Sequence, residues 1–345
     1  MNDLPPGGHG GTENHLELLL EGLRTTGDEA RCFSRPPRTG VGRLADTWDP
    51  SARAALEREV EAFRPDVLHF HNVTRELSVA VLSAAPSVPR VLTVHDGRLL
   101  GDADGQSAAL RGLQRARAGW DRRATRRCGA TLLAVSHALA ARLTAHGLGP
   151  VRTTWLWADP PVCAPAPPTS SRDLAFVGRL DTDKGVDALA SAFLQADRAG
   201  SRLLLAGTGS AALPTDPRIV LLGRLDRRAV SELLGSVRAL ALPSRPSRRP
   251  EGAPLALIEG LAHGRPLIVS NDAGCSEIAR IGTARPAGIA VPAGDVASLA
   301  TAIGRLLDDD ALVSELAGGA GAAAAEHTAA AGLARVRAAY AEALA

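Results

Sequence analysis

Strand-length apolar runs alternate with amphipathic, helix-length stretches along the whole chain. Runs at 29–33, 67–70, 91–94, 131–135 and 151–155 predict buried strands in the first half. Runs at 174–177, 202–206, 219–222, 237–242, 267–269 and 287–291 predict them in the second. Helices are expected between them at 51–63, 77–84, 136–145, 186–193, 230–234, 255–262 and 297–307, with Ser51 supporting the first as a cap. Leu16, Leu19, Leu20 and Leu23 recur at helical spacing behind Gly7, Gly8, Gly10 and Gly11, with Thr12 or Asn14 as the cap. Leu333, Val336, Tyr340 and Leu344 do the same at the other end. The pattern is that of α/β sheets with helical crossovers.

A glycine-rich loop that opens a helix normally follows a strand. Only Met1 to Leu4 precede Pro5, too few for one. The first strand is therefore expected to be missing, with a true start upstream. At 345 residues the chain exceeds a single core. Two domains are expected, 1–158 and 172–325, joined by a proline-rich linker at 159–171, with 326–345 as a helix that packs back on the first domain.

Composition narrows the function without naming it. Hydrophobic content of 45% and a formal charge of +2 describe a globular protein, not a wholesale nucleic-acid binder. Cys32, Cys128, Cys163 and Cys275 form no CxxC pair, so neither a zinc site nor a disulfide framework is expected. Without a signal peptide or an apolar run long enough to span a bilayer, a cytoplasmic protein is expected, with contact to an inner membrane face left open. The segment 115–127 carries Arg115, Arg117, Arg122, Arg123, Arg126 and Arg127. It reads either as a solvated helix face or as a surface for anionic lipid.

The richest chemistry lies at 237–277. A strand ends at Pro243, an arginine loop follows with Arg245, Arg248 and Arg249, and Glu251, Gly252, Ala253, Pro254 and Leu255 lead into a helix that Gly264 and Pro266 stop. Ligands of open α/β sheets sit beyond the carboxyl ends of the strands. Free N–H groups at a helix start are a seat for phosphate. Glu251 and Glu259 flank that seat and can accept bonds from hydroxyl groups. The stretch reads as a diphosphate site between two hydroxyl-bearing groups, or as ordinary packing under a solvated arginine cluster. His71 and His95 end two of the predicted strands and would face one rim.

These segments resemble the nucleotide-sugar site of the retaining GT-B glycosyltransferases, glycosyltransferase family 4. Three stretches match in order: FVGRLDTDK at 176–184, Glu251 to Glu259, and 272–277 ending in Glu277. The resemblance implies two Rossmann-like domains facing across a cleft. It implies transfer of a sugar from a nucleotide-diphosphate donor to a hydroxyl acceptor, with retention, in polysaccharide, glycolipid or small-glycoside synthesis. Arg179 and Lys184 would stabilise the charge growing on the leaving diphosphate in place of a metal, and no cofactor is implied. Glu251 and His95 would face the sugar, Glu259 would hold the ribose, and the glycine-rich loop before Glu277 would approach the donor through its backbone. Gly10, Gly11, His71, Gly178, Gly207, Gly252, Ala253, Pro254 and Leu255 complete the expected binding set. A GT-B nucleotide-sugar epimerase and a degenerate non-catalytic partner protein are the alternatives.

Overall fold

The computed structural model describes residues 10–35, 48–71, 73, 77–101, 108–245 and 252–345. The chain forms two compact units, Met1–Leu156 with Ala329–Ala345, and Trp157–Thr328.

In the first unit helices α1 (Gly11–Thr25) and α2 (Pro50–Phe63) precede β1 (Leu68–His71) and β2 (Arg90–Val94). Helix α3 (Ala108–Arg127), β3 (Thr131–Ala134), α4 (His137–Ala145) and β4 (Val151–Thr153) follow. The strands pair in parallel in the order β1-β2-β3-β4. Parallel strands covered on both faces read as continuous apolar runs, and β2 is buried along its whole length.

Several expectations change here. Residues 29–33 form no strand, for they are exposed or half-exposed, and the Arg24 guanidinium takes the Ala30 carbonyl at 2.8 Å. Residues 77–84 give only a 3-10 turn, Val79–Ser83. Its core residues are buried all round, so no amphipathic stripe exists to extend it, and positive φ at Ser78 and Ala85 bounds it. Gly10, rather than Thr12 or Asn14, is the N-cap of α1 and makes no side-chain cap. Asp49, rather than Ser51, caps α2, accepting from the Ser51 N–H at 2.9 Å.

In the second unit β5 (Leu174–Val177), α5 (Val186–Ala196), β6 (Leu203–Ala206) and β7 (Ile219–Gly223) come first. Then come α6 (Arg227–Ser236), β8 (Ala239–Leu242), α7 (Leu255–Ala262) and β9 (Leu267–Ser270). Helix α8 (Ala273–Ile278), β10 (Gly288–Val291), α9 (Val296–Asp308) and α10 (Asp310–Ala324) complete it. The parallel sheet has the order β10-β9-β8-β5-β6-β7. From β5 the chain steps outward to β6 and β7, then returns to β8 on the other flank. The order reverses between β5 and β8, and such a switch point leaves a crevice at the carboxyl rim.

The stretch before Glu277 is helical rather than a glycine-rich loop. The Asp272 carboxylate accepts from the N–H groups of Gly274 and Cys275 and starts α8, which contains Glu277. The proline-rich run at 159–171 is part of the second unit and is tied to the rest of it. Val162 donates to Ser231 Oγ at 3.1 Å, Ala166 donates to the Gly235 carbonyl at 2.9 Å, and the buried Arg265 reaches the Ala166 carbonyl at 2.6 Å.

The last helix, α11 (Ala329–Leu344), belongs to the first unit and packs on β2 and β3. Leu333, Val336 and Ala339 are buried, and Tyr340 lies against Val91 and Leu133, whereas Leu344 is 55% exposed and takes no part. Helices α1 and α11 meet at Gly22, where a Cβ would come within 2.7 Å of Leu333 Cδ1.

Candidate functional site

At the carboxyl rim of the second unit three loops are laminated by close backbone contact. A Cβ on Gly207, after β6, would lie 1.8 Å from the carbonyl oxygen of Gly178, after β5, and both glycines have positive φ. The N–H of Leu180 donates to the Thr208 carbonyl at 2.9 Å. Asp181 accepts from Ser210 N at 3.1 Å. On the other side, a Cβ on Gly185 would lie 2.0 Å from the Pro243 carbonyl oxygen. The Arg245 N–H donates to the Asp183 carbonyl at 2.9 Å, and its guanidinium pairs with Asp187 at 2.6 Å. The switch point is thus flanked by 178–185 and by Pro243 to Arg245, which abut at Gly185.

Arg179 and Lys184 stand on the first of these segments, Lys184 closing a 3-10 turn at Thr182–Lys184. The Arg179 guanidinium pairs with Asp181 and, at 2.7 Å, with Asp183. The side chain remains 55% exposed, so these pairs are exchangeable rather than structural. Gly252 and Leu255 are buried and Ala253 and Pro254 half-buried at the start of α7, with Pro254 as N-cap. Because α7 runs back to return β9 parallel to β8, its N-terminus lies on the same rim. Glu251, Arg248 and Arg249 fall outside the described residues.

Glu259 lies one turn into α7, on the side of Leu255; its carbonyl meets His263 Nδ1 at 2.7 Å, whereas its carboxylate forms neither a hydrogen bond nor an ion pair with any described residue. Burial pushes its pKa up to about 7; the Asp159 charge adds to this and Arg227 opposes it. Arg227 is itself engaged by Asp159. Glu277, half-buried on α8, follows β9 on the rim.

The first unit carries a second group. His71 ends β1, His95 follows β2, and His71 Nδ1 lies 2.9 Å from His95 Nε2. His69, two positions before His71, lies with its ring centroid 4.2 Å from that of His71. Its nitrogens meet Tyr340 Oη at 2.8 Å and Thr93 Oγ1 at 2.7 Å. His15 comes from α1, within 6.0 Å of His95 and 6.5 Å of His71 between centroids. Gly10 and Gly11 open that helix. Burial lowers all four imidazoles: His15 to about 3, His95 to about 4, and His69 and His71 well below the usual range. The cluster is therefore neutral at pH 7. The rings are tilted or edge-on, and no described group of three or more His, Cys, Asp or Glu side chains is arranged to hold a metal ion.

On α3, Arg117 pairs with the buried Asp121 at 3.7 Å, and Arg122 donates to the Leu99 carbonyl at 2.9 Å. Trp120, Arg123 and Arg127 share one exposed face, and Trp120 meets Trp48 edge-on at 6.3 Å. No described helix is long and apolar enough to cross a membrane.

Sequence reasoning missed His15, His69, Tyr340 and Asp181. The alternation of His69 and His71 was a usable signal, since positions two apart share a strand face. Nothing local connects Tyr340 to them, because the contact spans 271 positions.

Known proteins bear on these groups in three ways. Residues 171–309 match the family described as Glycosyl transferases group 1, and residues 9–156 match Glycosyltransferase Family 4. A glycogen synthase of Mycobacterium tuberculosis is 29% identical over 363 aligned positions, covering 90% of this chain and 85% of that one. Among solved structures, a sucrose-phosphate synthase from Thermosynechococcus elongatus superposes with a TM-score of 0.76 at 18% identity, over 96% of this chain and 93% of that one. Anabaena HepE, solved with UDP-glucose, gives 0.73 at 16% identity, over 99% and 98%.

Proposed function

Because the chain belongs to the GT-B glycosyltransferases of family 4, we propose that it moves a sugar from a nucleotide-diphosphate donor to a hydroxyl acceptor with retention of configuration. The observation that carries this reading is the switch point between β5 and β8, with Arg179 and Lys184 on the loop after β5 and the α7 N-terminus on the same rim.

The diphosphate takes the place that Asp181 and Asp183 now hold on Arg179. It also meets the free N–H groups at the start of α7. As the glycosidic bond breaks, charge builds on the leaving phosphate, and Arg179 and Lys184 bind that state more tightly than the ground state. Glu259 has open acceptor capacity for the ribose hydroxyls. Glu251 orients the sugar, and His95 bonds its hydroxyls. The leaving phosphate helps to take the acceptor proton on the same face of the sugar.

Relatives that make glycogen and sucrose phosphate, and one solved with UDP-glucose, support a hexose donor and a sugar acceptor. The exposed arginines and tryptophan of α3 favour an acceptor that is anionic or lipid-linked. Native mass spectrometry against UDP-, GDP- and ADP-sugars, followed by turnover of the bound donor with and without a sugar acceptor, tests the reading. Binding with acceptor-dependent release of nucleoside diphosphate supports it. Conversion of the donor without acceptor, or no binding by a folded protein, overturns it.

A further inference from the structure

His71 is 1% exposed, and its two ring nitrogens differ sharply. Nδ1 meets His95 Nε2 at 2.9 Å, whereas Nε2 is buried with no hydrogen-bond partner among the described residues. A neutral imidazole carries one N–H and one bare nitrogen, and the hydrogen bond at one decides the other. An orphaned N–H is the rarer and costlier defect in a protein interior. The lone pair therefore belongs on the unpartnered Nε2 and the proton on Nδ1. His71 then donates to His95 Nε2, which must be the bare nitrogen, so the His95 proton sits on Nδ1.

We propose that His71 is a positioning residue that holds His95 in the Nδ1–H tautomer, so that His95 offers the sugar a hydrogen-bond donor and has no lone pair left to act as a base. This rests on the reading of His95 as a sugar-facing side chain; the tautomer itself does not. The surroundings agree. The rings of His15 from α1 and His69 from β1 pack on the pair, and Tyr340 of α11 bonds His69 rather than His71. Protonating His71 would put a cation among three other imidazoles, and burial opposes it. Asp96, the nearest carboxylate in sequence, accepts from the Arg98 N–H and pairs with its guanidinium at 3.2 Å, and makes no hydrogen bond to His95.

Long-range proton–nitrogen correlation spectra of 15N-histidine-labelled full-length protein at neutral pH test this directly, with His95→Gln assigning the signal. The expected wild-type result is a protonated Nδ1 and a bare Nε2 on His95. His71→Asn keeps an N–H near the Nδ1 position and should preserve that pattern. His71→Leu removes the donor and should release His95 into a tautomer mixture. In transfer assays His71→Leu should lower kcat about tenfold with the donor KM changed less than about threefold, and His71→Asn should recover most of it. A wild-type His95 protonated on Nε2 overturns the proposal. So does a folded His71→Leu protein with unchanged His95 spectrum and kcat. Should His71→Leu fail to fold, the wild-type and His71→Asn spectra still decide. If no donor is turned over at all, the function reading falls and the spectra judge the tautomer alone.

Discussion

A histidine kept neutral in the interior is a stability liability in acid. The four clustered imidazoles, His15, His69, His71 and His95, have folded pKa values below 6.5, so the unfolded chain binds protons first as the pH falls. Stability is full above about pH 6.5 and is lost on the way down to about 4, by at most ~1.4 kcal/mol per histidine per pH unit. Urea midpoints at pH 7.5 and 5 measure it, and a flat profile would remove the cluster's neutrality. Glu259 behaves in the opposite sense. Its folded pKa is raised from 4.5 to about 7, so its contribution worsens as pH rises through that window. Glu259→Gln should raise the melting temperature at pH 8 and weaken nucleoside-diphosphate binding about tenfold, ~1.4 kcal/mol, by calorimetry. Lys184→Ala should lower kcat by about 100-fold or more with little change in melting temperature, as the transition-state role proposed for it requires. Unchanged turnover would end that role.

Elements were more legible than the residues that hold them together. The apolar runs located the inner parallel strands because burial on both faces leaves an unbroken hydrophobic signature, and the edge strand β7 kept an apolar run although Leu221 is exposed. The failures fall where tertiary contacts overrule local pattern. Residues 29–33 look like a strand but pair with none among the described residues. The run before Glu277 looks like a loop for its small residues, yet Asp272 captures two N–H groups and makes it a helix. The glycine spacing gave no hint that Gly185 abuts Pro243. There the backbone has φ +71° and no room for a side chain. Gly185→Ala should therefore cost about 1–3 kcal/mol in urea unfolding and reduce turnover, because it displaces the loop that carries Lys184. Tolerance of alanine would show the two loops to be less tightly apposed. The placement of Arg179, Lys184 and Glu259 was legible for a different reason: each sits just beyond a strand or inside the first turns of a helix. Of the histidine network only the pairing of His71 with His95 was legible, since His15 and Tyr340 come from helices distant in sequence.

At the scale of the whole chain the units are unequal in continuity. Trp157–Thr328 is one uninterrupted stretch, whereas the other unit needs Ala329–Ala345 to cover Val91 and Leu133. A chain ending at Thr328 should keep a protease-resistant second unit and yield a readily digested first one, as limited proteolysis would report. Equal resistance of both would mean that α11 is dispensable. The same arrangement sets an order of events during translation. The earlier-made part of the first unit stays without α11 until Ala329–Ala345 has been synthesised, while the second unit, made in between, can close on itself before then. Nascent chains would then present an uncapped sheet until α11 emerges, and the docking of that helix would be the closing step in assembling the first unit.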